Sequence, residues 1–259
     1  MAGCASVTPP SAWSPPPLLR FALLLATGVT RLLARLQVTG DLPREARHSA
    51  LILASNHLSP FDPIAMAATF RRLRIHPRVM ANAGLFKHPV IGPLMRWQGH
   101  IRADRGEATA VNAVSDSVTA LAEGSMVMLY PEGRIGLDPH LWPERARTGV
   151  GRLVLATKAP VIPMAIWGSH EVLPYDAPTG MWPVIWRNLR RRPVVRVHVG
   201  KPVDLSDIDP GRVGAAQRIA DRIVDAITAE LAPLRADEPD QPRFTDPTRP
   251  SSTQRSRRR

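Results

Sequence analysis

Short apolar runs alternate with stretches of helical periodicity along most of this chain, from residue 49 to residue 231. The runs ALILAS, RVMANA, SMVMLY, APVIPMAIWG and VVRVHVG have the length and composition of strands. Helical spacing appears in DPIAMAATF, GEATAVNAVSDSVTALAEG and TGVGRLVLATK, and in a last apolar stripe formed by Val213, Ala220, Ile223, Ile227 and Leu231. Strands that alternate with helices predict an α/β fold, with a single domain over residues 37–232 whose mixed sheet is covered by helices.

The regions that flank this domain differ from it in composition. Residues 1–17 (MAGCASVTPPSAWSPPP) are rich in proline, and residues 233–259 are proline-rich and charged and end in RSRRR. Neither region shows a periodic apolar pattern that could bury a core, so we predict that both are disordered. Residues 169–192 contain several prolines and tryptophans and are predicted to be an insertion or a long connection within the domain.

Residues 18–36 predict an amphipathic helix ahead of the domain. At the helical angle per residue, Arg20, Thr27, Arg31 and Arg35 fall within a stripe of roughly 80°, and most of the remaining surface is apolar. The uncharged run between Arg20 and Arg31 is too short to span a bilayer unaided. A basic stripe beside a wide apolar face favours a helix that lies in a membrane interface. The alternative is a helix that packs on the domain core with its arginines at the edge.

The chain is strongly basic, with 34 Lys and Arg residues against 22 Asp and Glu residues and a formal net charge of +12. This charge predicts an anionic partner, which could be nucleic acid, a phospholipid surface or a phosphorylated substrate. Aromatic residues make up only 5% of the chain and no recognition motif is present, so we expect no nucleic-acid partner. Arginine suits bidentate phosphate contacts, but a composition rich in arginine, alanine and proline also fits a GC-rich bacterial genome. The single cysteine, Cys4, excludes an intramolecular disulfide.

The stretch NHLSPFD, residues 56–62, places a histidine directly after the apolar run ALILAS. Asp62 before Pro63 has a simple structural explanation, because Asp is a good N-cap residue and Pro a good first residue of a helix. Capping does not explain His57, which follows a buried strand on a turn, where α/β folds collect catalytic residues. The same turn would let the Asp62 carboxylate reach the imidazole, fix its tautomer and leave the other ring nitrogen free to accept a proton.

Two further segments carry charged residues at strand-to-helix junctions. GHIRADRGE places Arg105 just before a helix, and YPEGRIG places Glu132, Gly133 and Arg134 in a tight turn after the strand SMVMLY. Taken singly, Arg105 has the structural interpretation of a solvated surface charge, and Glu132 that of a turn residue or ion-pair partner. Such junctions are expected along one edge of the sheet, which would bring the three segments together. The sequence shows no G-x-S-x-G motif, no His/Cys cluster with zinc spacing and no P-loop, so no covalent acyl-enzyme and no metal site is predicted.

Four segments, taken in order, resemble sequence blocks of the glycerolipid acyltransferases, specifically the 1-acylglycerol-3-phosphate acyltransferases. NHLSPFD is similar to their NHxxxxD block, GHIRADRG to their second block, YPEGRIG to their third (usually FPEGTRS) and VIPMAIWG to their fourth, around Pro163. The resemblance covers roughly residues 35–205. The third block departs from the family, because Arg134 stands where Thr is usual and Ile135 where Arg is usual. Either Arg134 supplies the charge from one position earlier, or the acceptor pocket has changed.

This resemblance implies transfer of a fatty acyl group from a thioester, acyl-CoA or acyl carrier protein, to the free hydroxyl of 1-acylglycerol-3-phosphate. The product would be phosphatidic acid, and no cofactor beyond the thioester co-substrate is expected. His57 would take the hydroxyl proton during attack on the thioester carbonyl, and Asp62 would orient the ring and stabilise the imidazolium. The resemblance places the substrate-binding role on Asn56, Arg105, Glu132, Gly133 and Arg134, with Arg105 on the acceptor phosphate.

The alternatives concern the acceptor and the presence of catalysis. One keeps the reaction and changes the acceptor, for example to a lyso-ornithine lipid or a lyso-glycolipid. Another is a non-catalytic lipid-binding relative, against which the presence of both His57 and Asp62 argues. Because the apolar parts of the substrates lie in a membrane, we expect a peripheral or monotopic protein on the cytoplasmic face of the cell membrane. Its expected partners are the phospholipid surface, which a basic protein binds when anionic lipids are present, and acyl carrier protein if that is the donor.

Overall fold

The computed structural model describes residues 14–103 and 107–257, and of residues 107–111 and 178–180 it describes the backbone alone. Within the described residues, the predicted α/β domain is confirmed. The strands are β1 (Arg35–Thr39), β2 (Ile52–Ser55), β3 (Arg78–Asn82), β4 (Ile101–Ala103), β5 (Val127–Leu129), β6 (Val161–Trp167) and β7 (Val194–Val199). They form one seven-stranded sheet in the order β1-β7-β6-β2-β5-β3-β4. All neighbouring strands are parallel except β6 and β7, so the sheet is mixed, as predicted.

Helices cover both faces of this sheet. They are α1 (Pro17–Leu33), α2 (Asp62–Leu73), α3 (Ala83–Lys87), α4 (Ile91–Trp97), α5 (Glu107–Ala122), α6 (Gly149–Thr157), α7 (Ala177–Arg191) and α8 (Ala215–Leu234). The central strand β2 is buried on both sides: Leu53 joins the cluster beneath α1 and α2, and Ile52 joins the cluster beneath α5, α6 and α8. A strand covered on both faces needs apolar residues at successive positions, which explains why ALILAS does not alternate with polar residues.

Helix α1 packs on the domain core, as the second of the two alternatives predicted, and its place in a membrane interface stays a prediction. Its residues Leu19, Leu23 and Leu33 are buried against the domain, mainly on α2. The opposite face remains apolar and exposed. The helix ends at Leu33, three residues before the predicted end, because the chain then pairs with β7 as strand β1. Among the described residues, no helix is long and apolar enough to cross a membrane.

The segment predicted as an insertion or long connection, residues 169–192, is mostly helical. After a short 3₁₀ turn at Ser169–Glu171 it forms α7, which contains Pro183 within its length. Met181, Ile185 and Leu189 of this helix pack against the core shared with α1. The prolines and tryptophans of the segment therefore belong to a helix that packs beside α1.

The C-terminal segment, which we define as residues 235–257, differs from the prediction of disorder. It runs as turns and irregular backbone across the domain surface. The side chain of Arg235 is fully buried, with its guanidinium carbon 4.0 Å from the ring centroid of Trp142 and 4.4 Å from that of Trp167. Composition predicted disorder because the segment has no apolar periodicity. Instead, Arg235 packs on aromatic rings, and Arg249 and Arg255 donate to backbone carbonyls of the domain. Contacts of this kind produce no periodic pattern in the sequence. The predicted leader falls largely on residues 1–13, which lie outside the described residues.

The crossing of α6 over α8 depends on Gly151. A Cβ atom at this position would lie 1.8 Å from the carbonyl oxygen of Ala216, whereas one at Gly149, in the same helix, would meet nothing within 4 Å. We expect Gly151→Ala to force the helices apart and to lower the free energy of unfolding by about 1–3 kcal/mol, although alanine favours helix. Thermal denaturation followed by circular dichroism measures this loss. Gly149→Ala is the control and should keep or raise Tm; equal changes in both variants would mean that the crossing does not require glycine.

Candidate active site

The site lies at the carboxyl edge of the sheet, where β2 runs into α2 and the parallel neighbour β5 runs into the loop that precedes α6. The first residue after β2 is Asn56, whose side chain is buried. Its amide donates to the carbonyl of Ile166 at 2.9 Å, and its oxygen accepts from the Ile166 amide at 2.9 Å. Asn56 thus continues the pairing of β2 with β6 and fixes the point at which the chain turns toward His57. Its role in substrate binding stays a prediction.

His57 and Asp62 form the pair that the sequence predicted. His57 Nδ1 lies 2.8 Å from Asp62 Oδ2, and the Asp62 side chain is fully buried while that of His57 is 15% exposed. The same carboxylate oxygen accepts hydrogen bonds from the amides of Leu58, at 2.5 Å, and Ser59, at 2.8 Å. The carboxylate therefore fixes both the ring and the turn. With Nδ1–H directed at Asp62, Nε2 is the ring nitrogen that can accept a proton.

Asp62 acts differently from the helix cap that its position before Pro63 suggested. It is the first residue of α2, its side chain points back over the preceding turn, and the N-cap residue Phe61 makes no side-chain capping bond. The amide of Phe61 instead donates to Ser59 Oγ at 3.1 Å. The helix start thus positions the carboxylate for His57, and Ser59 takes part in ordering the turn.

Tyr130, the last residue before the Pro-Glu-Gly turn, stacks on the imidazole of His57. The ring centroids are 4.1 Å apart and the planes are inclined by 14°. Burial, together with the nearby Asp62 charge, raises the pKa of the Tyr130 hydroxyl well above its usual value, so the ring stays neutral. Sequence reasoning did not single out this residue. The sequence signal that could have identified Tyr130 as a site residue is its position directly after a buried strand.

Glu132 is a buried support for the histidine turn. Its Oε1 accepts from the backbone amide of His57 at 3.0 Å, and its Oε2 accepts from the amide of Glu144 at 3.0 Å. Burial raises the pKa of this carboxyl to about 8. Gly133 has a φ of 69°, and a Cβ there would lie 2.9 Å from the Arg147 side chain, so the turn requires glycine. The described contacts of Glu132 position His57, and contact with a substrate stays a prediction.

The two other predicted substrate ligands are Arg134 and Arg105. Arg134 forms a bidentate ion pair with the fully buried Glu144, with Nε and Nη2 each 3.0 Å from a carboxylate oxygen. Its side chain is 29% exposed. Arg105 lies outside the described residues. Strand β4, which precedes it, ends at Ala103 at the far edge of the sheet, separated from β2 by β5 and β3.

The structure also shows whether the described residues could bind a metal ion. Within residues 14–103 and 107–257, no group of three or more His, Cys, Asp or Glu side chains has the arrangement of a metal site. The site that the structure builds is a polar constellation on adjoining turns: His57 and Asp62 from the first block, Tyr130 and Glu132 beside the third. Of these, sequence reasoning found His57, Asp62 and Glu132 and missed Tyr130.

Comparison with known proteins places this site in a family. The family model named Acyltransferase matches residues 35–167, the span from the start of β1 to the end of β6. This match contains His57, Asp62 and the third block. The chain belongs to the acyltransferase family.

Particular relatives include enzymes of glycerolipid acylation. A 1-acyl-sn-glycerol-3-phosphate acyltransferase of Limnanthes douglasii is 29% identical over 126 residues, which cover 46% of this chain and 41% of that protein. An uncharacterized protein of Mycobacterium bovis is 30% identical over 154 residues, which cover 54% of this chain and 39% of that protein. The matches thus span about two fifths of the length of these curated relatives. The 1-acyl-sn-glycerophosphate acyltransferase PlsC of Thermotoga maritima shares the fold, with a TM-score of 0.58 at 18% identity over 82% of this chain and 79% of that one.

The raised pKa of Glu132 makes a prediction about stability. An unfolded chain releases this proton near pH 4.5, whereas the folded protein keeps it to about pH 8, so its contribution to stability falls as pH rises through that window. Glu132→Gln removes the titration but leaves one backbone amide without an acceptor, which lowers stability at every pH. We therefore expect the Tm deficit of the variant to be largest at pH 5 and smaller at pH 8. Deficits that are equal at both pH values, measured by differential scanning fluorimetry, would contradict the raised pKa.

Proposed function

We propose that this protein transfers a fatty acyl group from acyl-CoA, or from acyl carrier protein, to the free hydroxyl of 1-acylglycerol-3-phosphate. The observation that carries the proposal is the 2.8 Å contact of His57 Nδ1 with the buried Asp62 carboxylate. Among the described residues, no hydrogen bond engages His57 Nε2. A part-exposed imidazole held in this way is suited to deprotonate a hydroxyl group.

In this proposal, the His57 imidazole and the Asp62 carboxylate carry out the proton transfers of the reaction. As the acceptor oxygen forms a bond with the thioester carbonyl carbon, its proton passes to His57 Nε2. The resulting imidazolium lies against Asp62, whose charge stabilises it. The carbon–sulfur bond then breaks, and the leaving thiolate takes the proton from the imidazolium. Transfer is direct, so this route needs no covalent acyl-enzyme.

The identity of the acceptor is supported by the named relative and by charge. The Limnanthes douglasii protein is a 1-acyl-sn-glycerol-3-phosphate acyltransferase by name. Arg105 and Arg134 are the proposed ligands of the acceptor phosphate, since arginine forms paired hydrogen bonds with phosphate oxygens. One observation favours a second candidate: the Arg134 charge is already balanced by the buried Glu144. The same transfer to another lysolipid, such as a lyso-ornithine lipid or a lyso-glycolipid, is therefore the alternative.

The experiment that tests the proposal offers radiolabelled acyl-CoA and acyl carrier protein thioesters to the purified protein with a panel of lysolipids. Transfer to 1-acylglycerol-3-phosphate in preference to the other acceptors is the expected result. A preference for a lysolipid without the phosphate would assign the second candidate. Transfer to no acceptor from either donor would favour a non-catalytic lipid-binding protein.

In that assay we expect His57→Ala to abolish transfer and Asp62→Asn to lower kcat severely, because the Asn amide favours the wrong tautomer of the histidine. In a serine protease triad the equivalent change lowers the rate about 10⁴-fold. His48→Ala is the matched control, since His48 is exposed at the end of a short 3₁₀ helix that precedes the amino end of β2, whereas the site follows the carboxyl end of that strand. Circular dichroism checks that each variant is folded. Activity of His57→Ala within tenfold of the wild type would remove His57 from the mechanism.

We also propose that the protein is peripheral or monotopic on the cytoplasmic face of the cell membrane. The outer face of α1 exposes Phe21, Leu25 and Leu32 by 53–58%. Next to it, α7 exposes Trp182 and Trp186 by 67% each. Leucine and phenylalanine favour the acyl region, and tryptophan favours the boundary with the head groups. Arginines on both helices would meet anionic lipids there.

Point substitutions test this surface without removing the core contacts of α1. Phe21→Ser combined with Leu25→Ser removes mainly exposed apolar area, and we expect at least about tenfold weaker binding to anionic vesicles. Co-sedimentation with phosphatidylglycerol-containing liposomes at low and high salt is the measurement. The control is Val213→Ser, at an apolar and 95% exposed position ahead of α8. Equal vesicle binding by all these proteins would show that the outer face of α1 does not contact the membrane.

A further inference from the structure

The C-terminal segment reaches the candidate active site through Arg249. Its Nη1 donates to the carbonyl of Leu58 at 2.7 Å, and its Nη2 donates to the carbonyl of Gly136. Leu58 directly follows His57, and Gly136 ends the third block. One guanidinium from the end of the chain therefore joins the two turns that hold the site.

These two turns are also joined to each other at His57. The backbone amide of His57 donates to Glu132 Oε1 at 3.0 Å, and the amide of Gly136 donates to the His57 carbonyl at 2.9 Å. The two hydrogen bonds of Arg249, to the carbonyls of Leu58 and Gly136, add a second link between the same two turns. A histidine held at its amide, its carbonyl and its ring has little freedom to move relative to the third block.

The segment is attached to the domain on both sides of Arg249. Arg255 donates to the carbonyls of Glu132, at 3.0 Å, and of Arg145, and its own carbonyl accepts from the Arg145 amide at 3.0 Å. On the other side, Asp246 accepts from the backbone amide of Tyr175. The guanidinium of Arg249 is thus carried by a length of chain that is attached at both ends.

The titratable groups that face Arg249 come from several elements. They are the carboxyl groups of Asp62, Glu132 and Asp246, the phenol of Tyr175 and the imidazole of His170. The cation lies among the buried acids of the site and outside the span that the family model matches, which ends at residue 167. The contribution of this arginine is therefore a property of this chain beyond the matched span.

We propose that Arg249 is a positioning residue for acyl transfer, which holds the Leu58 and Gly136 carbonyls so that His57 keeps its alignment toward the acceptor. The C-terminal segment is in this sense part of the active site. The inference rests on the proposed transferase function. It predicts a defect in turnover, because Arg249 acts through the turn that carries His57 and a misaligned base slows the chemical step.

Kinetics of Arg249→Gln and Arg249→Ala test this role, with the acyl thioester and lysolipid that the wild type uses. We expect kcat to fall about tenfold or more while KM for the thioester stays within about threefold. Added guanidinium ion at millimolar concentration should restore part of the kcat of Arg249→Ala in a saturable way. Arg249→Lys keeps the charge and one donor group and should recover part of the activity, which keeps the test informative if the other variants fold poorly.

The matched control is Arg243→Gln, on the same segment. Arg243 is largely exposed and its side chain pairs with Asp237, away from the site turns. It should keep wild-type kcat and show no response to guanidinium. Turnover of folded Arg249→Gln within threefold of the wild type would overturn the inference. A rise in turnover would also overturn it, because the segment would then restrain the site.

Hydrogen–deuterium exchange separates a failure of this inference from a failure of the proposed function. In Arg249→Gln, amides of residues 57–62 and 132–137 should exchange faster than in the wild type, while those of α8 stay unchanged. If the wild-type protein transfers no acyl group, the proposed function is contradicted, and the exchange data then show separately whether Arg249 holds the two turns. Unchanged exchange in both turns would show that Arg249 does not hold them.

Discussion

The candidate site depends on one buried oxygen atom, Oδ2 of Asp62, which accepts from His57 Nδ1 and from the amides of Leu58 and Ser59. A carboxylate without exposure to water must be paired with donors to be tolerated, and here the donors are the histidine ring and the turn itself. The turn, the tautomer and the ring orientation are therefore coupled. Because Asp62 opens α2, packing of that helix on the core also sets where the carboxylate lies, so the position of His57 derives from the hydrophobic core.

A second buried acid fixes the site relative to the rest of the sheet. β2 and β5 are parallel neighbours, so the turns that follow them share one edge, and Glu132 from one turn reaches the His57 amide of the other. Burial raises the pKa of Glu132 to about 8, which favours the neutral carboxyl at neutral pH. A neutral group in this place adds no repulsion against the Asp62 charge. The two acids thus have distinct roles: a charged partner for the imidazole and a support for its backbone.

The third block departs from the family at residues 134 and 135, and this departure changes which charges pair in its loop. Arg134 stands one position before the arginine usual in the family, and it is bound on two nitrogens by Glu144. A fully buried carboxylate needs a cation, and Arg255 adds a second at 3.9 Å. The arginine of this block therefore stabilises the loop that the C-terminal segment covers, and any phosphate it binds must share it with Glu144. This pairing is the physical reason for considering acceptors other than a lysophosphatidate.

The sequence by itself determined the alternation of strands and helices, the place of His57 and Asp62 on a strand-to-helix turn, and the glycine turn after Glu132, because these follow from local periodicity and turn chemistry. Only the tertiary structure decided the stacking of Tyr130 on His57, the bonds of Asn56 to β6, and the packing of the C-terminal segment. The contact of Arg249 with Leu58 joins residues 191 positions apart. An arginine that binds a carbonyl leaves no periodic trace in the sequence, because its partner is backbone that any residue provides. Its place in the site was therefore decided by the folded chain alone.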